Sequence, residues 1–334
     1  MNSMTLTRRA LLASAAASAA IPLRAAVTPQ SIIDAVPGGD RMRALVILMN
    51  GTSVVEERFS GSGLNQPTNV KSVSKSIVAL LTGIAIDKGV VPGVSARLGD
   101  VAPRLIPQSA DPRVADITLE DLVTLRAGLE RTSGPNYGSW VSSPNWVADA
   151  LSRNMIAEPG GRMLYSTGST HILGAALAEA AGESLLTLAR RWLGQPLGIE
   201  VPAWTRDPQG YYLGGNEMAL SPRALARIGE MMREGGRWNG EQVVSADWLV
   251  ASLEPRTRSP WSGLGYGYGW FLGRAGGIDY ALARGYGGQV LAIAPDAGIT
   301  VVITSDPTRP ARSGGYFGEL QRFIERDVIG ALVG

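Results

Sequence analysis

Apolar side chains gather near both ends of the chain in short unbroken runs, and in the middle at helical spacing. Residues 42–50 (MRALVILMN) have the length and composition of a strand. Gly51-Thr52 supplies a turn, and 53–59 reads as a second strand pairing back, which predicts a hairpin. Residues 60–70 are polar, with Gly61, Gly63 and Pro67, and read as loop. From 72 to 88 the pattern turns helical. Val73, Ile77, Leu80, Leu81, Ile84 and Ile86 recur so densely that the helix is expected to be buried on most sides, with Gly89 and Pro92 ending it.

Residues 90–220 read as loop-rich with short helices. Thr118 is placed to cap one of them, with Asp121 at the reciprocal capping position. Further helices are expected over 169–181 and 184–193. Another spans 221–235, with Ser221 as cap and Pro222 in the first turn. Strands return at about 267–273, 278–284, 289–294 and 299–304, with Asp296-Ala297-Gly298 as the last hairpin turn. A final helix covers about 316–332. Strands at both ends of a helical middle predict one discontinuous sheet lobe (about 27–90 and 221–334) and a mostly helical lobe (about 91–220). The cleft between them is the expected active site.

The first 26 residues fall outside this pattern. Thr7-Arg8-Arg9-Ala10-Leu11-Leu12 precedes an alanine-rich apolar run and small residues at Ala25 and Ala26. This resembles a twin-arginine export signal. The run is too short for the roughly 20 residues that span a bilayer, so no stable membrane anchor is expected. The expectation is a protein exported to the periplasm or beyond. Removing 1–26 takes away Arg8, Arg9 and Arg24 and no acid, leaving 28 basic against 29 acidic side chains. The net charge of +2 on 334 residues is therefore largely leader, and gives no reason to expect nucleic acid.

Composition narrows the chemistry. With no cysteine and one histidine, His171, thiol nucleophiles, disulfides and iron–sulfur clusters are excluded, and a catalytic zinc site lacks its usual ligands. G-x-S-x-G, the Walker loop and G-x-G-x-x-G are all absent. No metal or organic cofactor is indicated. Only three basic side chains are lysines (Lys71, Lys75, Lys88); the other 28 are arginines. Ser72-Val73-Ser74-Lys75 is an S-x-x-K pattern at the start of the buried helix, and residues three apart share a helix face. Burial disfavours a charged lysine, so a neutral Lys75 amine could accept the Ser72 proton. Arginine could not do this. The four-residue pattern alone is common and equally fits a capped helix with a surface lysine.

Pro159-Gly160-Gly161-Arg162-Met163-Leu164-Tyr165-Ser166-Thr167-Gly168 adds a second box, and Arg284-Gly285-Tyr286-Gly287-Gly288-Gln289 a third. With these the chain resembles the serine β-lactamase-like family of class C β-lactamases, DD-peptidases, carboxylesterases and aminohexanoate-oligomer hydrolases. The segments 117–129 and 266–270 (YGYGW) support the match. The resemblance implies an α+β fold of the β-lactamase/transpeptidase type, with an antiparallel sheet flanked by the terminal helices. It further implies Ser72 as acylated nucleophile, Lys75 as its activator and Tyr165 as partner base and acid. A nearby lysine ammonium would lower the Tyr165 pKa. The oxyanion would be held by the backbone N–H groups of Ser72 and Gln289, with Gly288, Tyr286 and Arg284 in the substrate-binding box. Arg284 and Tyr286, two apart on a strand, are expected to face the same way. His171 reads as structural or surface, and no tryptophan is assigned to an acyl pocket.

Two positions depart from the family pattern. Thr167 stands where many members have asparagine, and Tyr286 where β-lactamases and peptidases have a cation for the substrate carboxylate. The expectation is therefore a secreted serine hydrolase acting on carboxylic esters or small amides. The alternatives are a β-lactamase or D-alanyl/linear-amide peptidase, and a slowly deacylating binder of cell-wall fragments.

Overall fold

A computed structural model describes residues 27–333, so the expected export leader lies outside the described residues. Its centre is an antiparallel sheet of eight strands among the described residues. In sheet order these are Thr52–Arg58, Met42–Met49, Ile299–Ser305, Gln289–Ala294, Ile278–Gly285, Phe271–Ala275, Gly265–Tyr266 and Thr257–Arg258. The first and last long strands of the chain are neighbours, with Leu45 opposite Ile303 and Ile47 opposite Val301.

Both faces of this sheet are covered, which is why its strands read as continuous apolar runs and not as alternation. Successive side chains point to opposite faces. Val46, Ala281, Ala283, Leu291, Ile293 and Val302 join the core built with the helices Ser74–Asp87 and Pro222–Arg233. Leu45, Ile47, Leu282, Val290, Ala292 and Val301 join a second core with Ile32 and the C-terminal helix residues Tyr316, Phe317, Leu320 and Phe323. At about 25 cal/mol per Å² of apolar surface removed from water, two such cores are the main favourable term in folding.

The first hairpin turns at Asn50-Gly51, one residue earlier than expected. Both have positive φ, 50° and 77°, the conformation that a two-residue turn with matching twist requires. Of the expected strand at 267–273 only the part from Phe271 forms, continuing to Ala275, and a separate short strand, Gly265–Tyr266, precedes it. Between Tyr266 and Phe271 the chain leaves the sheet, with Gly267 N–H bonding Trp270 O at 2.9 Å and Tyr268 N–H bonding Ser252 O at 3.2 Å. That excursion buries Tyr268 and Trp270 in the core shared with the Ser74–Asp87 helix.

The Ser74–Asp87 helix is buried from Ser74 through Ala85, as its all-round apolar pattern requires. The capping box at Thr118 and Asp121 is present. The helix expected over 169–181 begins at Thr167. The one expected over 184–193 runs on through a π turn to Leu197. The C-terminal helical span likewise contains a π turn, Phe323–Ile329. No single helix among the described residues is long and apolar enough to cross a membrane.

Candidate active site

Ser72 lies in the 3-10 turn Lys71–Val73, immediately before the Ser74–Asp87 helix and not inside it. The turn starts from a left-handed Lys71 (φ 52°), a costly conformation for a side chain with a Cβ. It is held from several sides. Lys71 N–H bonds Asn69 Oδ1 at 2.9 Å, Lys71 Nζ pairs with Glu217 Oε1 at 2.9 Å, and Ser74 Oγ donates to Lys71 O at 2.6 Å. Asn69 Nδ2 and Met218 N–H tie the same turn to residues 217–218.

From that turn, Ser72 and Lys75 meet as helix spacing predicts, with Lys75 Nζ 3.1 Å from Ser72 Oγ. Lys75 is buried, at 3% exposure. Its other partners are Gly215 O at 2.6 Å and Thr167 Oγ1 at 3.3 Å, and no carboxylate pairs with it among the described residues. Burial alone pushes its pKa down to about 7. A neutral amine donating to Gly215 O and Thr167 Oγ1 keeps its lone pair for the Ser72 hydroxyl proton.

Tyr165 completes the group, its ring centroid 5.0 Å from Lys75 Nζ. The expectation that a lysine ammonium lowers the Tyr165 pKa is corrected. Burial raises it, against smaller lowering effects from a hydrogen bond with Ser72 and the charge of Arg284. The tyrosine is a phenol at neutral pH, and the readily available base is Lys75. Thr167, the noted departure, sits at the N-terminus of its helix and touches Lys75 directly. That helix end is capped by a distant loop: Thr167 N–H bonds Ser133 Oγ at 2.9 Å, and Gly168 N–H bonds Thr132 Oγ1 at 2.8 Å. Free helix N–H groups need such partners.

These residues open into a cavity of about 780 Å³ lined by, among others, Ser72, Tyr165, Trp261, Phe271 and Phe317. Trp261 stands edge-on to Tyr165, the Phe271 ring lies near-parallel to Tyr165 at 6.5 Å, and Trp261 is 52% exposed. Arg131, Arg284 and Arg312 also line the cavity, and none has a carboxylate partner among the described residues. Arg284 lies 5.1 Å from the Phe271 ring and 4.2 Å from the Phe317 ring, and bonds Ser313 Oγ at 3.1 Å. Burial lowers its pKa to about 10, so it remains a cation at neutral pH.

The third box is arranged differently from its sequence expectation. Its strand ends at Gly285, so the two-residue alternation does not extend to Tyr286, which is 49% exposed on the turn. Arg284 and Tyr286 both line the cavity nevertheless. Gly288 and Gln289 do not. Gln289 begins the returning strand, opposite Gly285. Its side chain is fully buried, donating to Ser305 O at 2.8 Å and accepting from Ser305 N–H at 3.0 Å. Gly285 is the residue that abuts the nucleophile turn: a Cβ there would come within 2.2 Å of Val70 O.

Sequence reasoning missed Ser133, Gly215 and the Lys71–Glu217 pair, none of which stands in a motif. Among the described residues no three His, Cys, Asp or Glu side chains gather as a metal site.

A serine held against a buried lysine and a tyrosine, in an aromatic-walled cavity beside an antiparallel sheet, is the site of a serine hydrolase with a β-lactamase/transpeptidase-type fold. Residues 40–319 match the Beta-lactamase family, and the chain belongs to it. Among solved structures it is similar to a protein assigned as a 6-aminohexanoate-dimer hydrolase from Bacillus anthracis (TM-score 0.75, 17% identity, 88% of this chain and 80% of that one). It is also similar to EstCE1, a hydrolase with promiscuous acyltransferase activity (TM-score 0.73, 18% identity, 92% and 99%). A family VIII carboxylesterase matches too (TM-score 0.70, 16% identity, 91% and 97%).

Proposed function

We propose that the protein hydrolyses carboxylic esters and small amides through an acyl-enzyme on Ser72, after export through a twin-arginine-type leader to the periplasm or beyond. The observation that carries the chemistry is Lys75, buried, 3.1 Å from Ser72 Oγ, and titrating at about 7. Ser72 Oγ attacks the substrate carbonyl and its proton passes to Lys75 Nζ. Tyr165 gives its phenolic proton to the departing alcohol or amine and is recharged from Lys75. A water then attacks the acyl carbonyl by the same route in reverse. The developing oxyanion is held by the backbone N–H groups of Ser72 and Tyr286. Support for Tyr286 in place of Gln289 is that Gly285 and Tyr286 line the cavity and Gly285 abuts Val70.

Neutral acyl groups suit the aromatic wall of Tyr165, Trp261, Phe271 and Phe317, and the 6-aminohexanoate-dimer hydrolase, EstCE1 and carboxylesterase likenesses are compatible with ester and amide substrates. A second reading, β-lactam or peptide hydrolysis, is favoured by one observation: Arg284, like Arg131 and Arg312, is a cavity cation with no carboxylate partner among the described residues.

The deciding experiment treats the protein with a fluorophosphonate and maps the adduct. It then compares turnover of p-nitrophenyl acetate, a chromogenic cephalosporin, a D-Ala-D-Ala peptide and an aminohexanoate dimer, with Ser72→Ala as control. Labelling of Ser72 with fastest turnover of the ester is expected. Cephalosporin turnover far above ester turnover supports the second reading. Labelling without turnover indicates a slowly deacylating binder. Full activity of the alanine variant overturns the serine mechanism.

A further inference from the structure

We propose that His171, together with Asp207, is a positioning residue for Lys75, acting through the Gly214–Gly215 backbone. This rests on the reading of Lys75 as the base for Ser72.

His171 does not line the cavity and is completely buried, at 0% exposure. Its Nδ1 accepts a hydrogen bond from Gly214 N–H at 3.4 Å, so Nε2 carries the proton and donates to Asp207 Oδ2 at 3.0 Å. The ring is gripped by Trp140 and Trp146, with centroids 5.8 and 5.9 Å away. Asp207 is fixed in turn, its Oδ1 accepting from Gln209 N–H at 3.0 Å and Tyr211 N–H at 2.8 Å. The residue after Gly214 is Gly215, whose carbonyl oxygen holds Lys75 Nζ at 2.6 Å.

The backbone at 214–215 lies so close to the Thr167–Ala181 helix that no side chain fits. A Cβ on Gly214 would come within 2.4 Å of Thr170 O, and one on Gly215 within 2.7 Å of Thr167 O. A Gly215 Cβ would also lie 3.3 Å from Lys75 Nζ. The segment is thus both the hydrogen-bond acceptor for the amine and part of the wall that keeps water from it. Two glycines give the segment close approach and leave it without side chains to anchor it. The His171 bond supplies an anchor, and Asp207 fixes the tautomer that can make it. If the anchor is lost, water reaches Lys75 and its charged form becomes less costly. Tyr165, before the helix, faces Lys75 directly; Arg131, Tyr137, Arg284, Arg312 and the Lys71–Glu217 pair line the cavity that Ser72 opens into. None of them is altered by changing His171.

The test uses the three-lysine composition of the chain. Full-length protein is labelled with 13Cε-lysine and titrated by NMR, with Lys75→Arg assigning the resonance. His171→Phe keeps an aromatic ring against Trp140 and Trp146 and offers no acceptor. We expect its Lys75 to titrate about one unit higher than wild type. The neutral fraction at pH 7 then drops from about half to about a tenth, and fluorophosphonate labelling of Ser72 slows about five-fold at pH 7. Labelling recovers at pH 9, with the KM for p-nitrophenyl acetate unchanged. His171→Asn, whose amide oxygen can still accept from Gly214 N–H, is expected to restore the wild-type titration. Asp207→Asn decides the matter if His171→Phe does not fold, and is expected to move Lys75 the same way. A folded His171→Phe or Asp207→Asn variant with a wild-type Lys75 titration overturns the inference. Failure of Ser72 to label in wild type overturns the hydrolase reading instead, and the NMR titration still reads His171 independently.

Discussion

Lys75 Nζ sits closer to the Gly215 carbonyl oxygen, at 2.6 Å, than to the Ser72 hydroxyl, at 3.1 Å. The amine is thus anchored by a group that takes no proton from it, and its contact with the serine is the longer of the two. Its surroundings make the neutral form accessible near physiological pH.

The first prediction is the pH dependence. With the Lys75 pKa lowered to about 7, kcat/KM for p-nitrophenyl acetate should fall as pH drops through about 7, because the protonated amine cannot accept the serine proton. No basic limb is expected below pH 10, because burial holds Tyr165 above its ordinary value. A bell with a descending limb near pH 8 would contradict this assignment. Lys75→Arg should lower kcat by about 10²–10⁴, the usual worth of a general base.

The same burial carries a stability cost with a definite sign. Between about pH 7 and the ordinary lysine value of 10.5, the unfolded chain binds more protons at Lys75 than the folded one. Stability therefore rises with pH across that window, and the full penalty applies below it, up to about 5 kcal/mol. Lys75→Met should raise Tm at pH 7 while abolishing activity, and the gain should shrink as pH approaches 10. A lower Tm at pH 7 would show that the lysine is not a strained element.

Tyr165→Phe removes the proton donor and keeps the ring contacts with Phe271 and Trp261. Its kcat should drop by about 10²–10⁴ while KM changes little. Steady-state kinetics on an ester with a poor leaving group checks this, since such an ester depends most on the donated proton.

Arg284 tests substrate charge. Arg284→Met keeps the apolar contacts with Phe271 and Phe317 and removes the cation. Turnover of p-nitrophenyl acetate should stay within about three-fold, whereas a substrate with a free carboxylate should lose ten-fold or more, about 1.4 kcal/mol. Equal losses on both would assign Arg284 to packing of the cavity wall.

Thr132→Val probes the cap supplied by the distant loop. It removes the acceptor of Gly168 N–H, which lies 2.8 Å from Thr132 Oγ1 in a buried place. An unsatisfied buried donor costs roughly 1–3 kcal/mol, readable in urea unfolding. A change below a few tenths would mean that the helix end finds another acceptor.

Export is checked separately, by fractionating cells that express the full chain. Cleaved protein outside the cytoplasm is expected, and Arg8→Lys with Arg9→Lys should retain the uncleaved form inside. Uncleaved wild-type protein confined to the cytoplasm would end that proposal.

Local relationships were legible in the sequence and distant ones were not. Ser72 and Lys75 could be placed together because three residues on a helix fix a face. Thr118 with Asp121, and Ser221 with Pro222, were readable as helix starts for the same reason. Lys75's partners Thr167 and Gly215 lie 92 and 140 positions away, and no period or spacing links them. The third box misled for a different reason. Alternation holds only inside a strand, and a run with Gly285, Gly287 and Gly288 does not reveal where the strand stops. The turn puts Tyr286 beyond the strand but still on the cavity, and puts Gln289 at the start of the returning strand with its side chain buried. The YGYGW segment resembled a family strand, but only Tyr266 stays in the sheet, while Tyr268 and Trp270 leave it to join the core of the neighbouring helix.

The pairing of Met42–Met49 with Ile299–Ser305 also sets an order of events. Sequence separation between partners slows folding, and here the first strand made by the ribosome, Met42–Met49, is not flanked on both sides until nearly the whole chain has emerged. Until residue 305 is available, the hairpin at 42–58 presents an unpaired edge and two uncovered apolar faces. Premature termination before residue 299 should therefore yield an aggregating chain and not a smaller folded one. The N-terminal hairpin can join the rest of the sheet, and so bring the serine turn against Gly285, only through Ile299–Ser305.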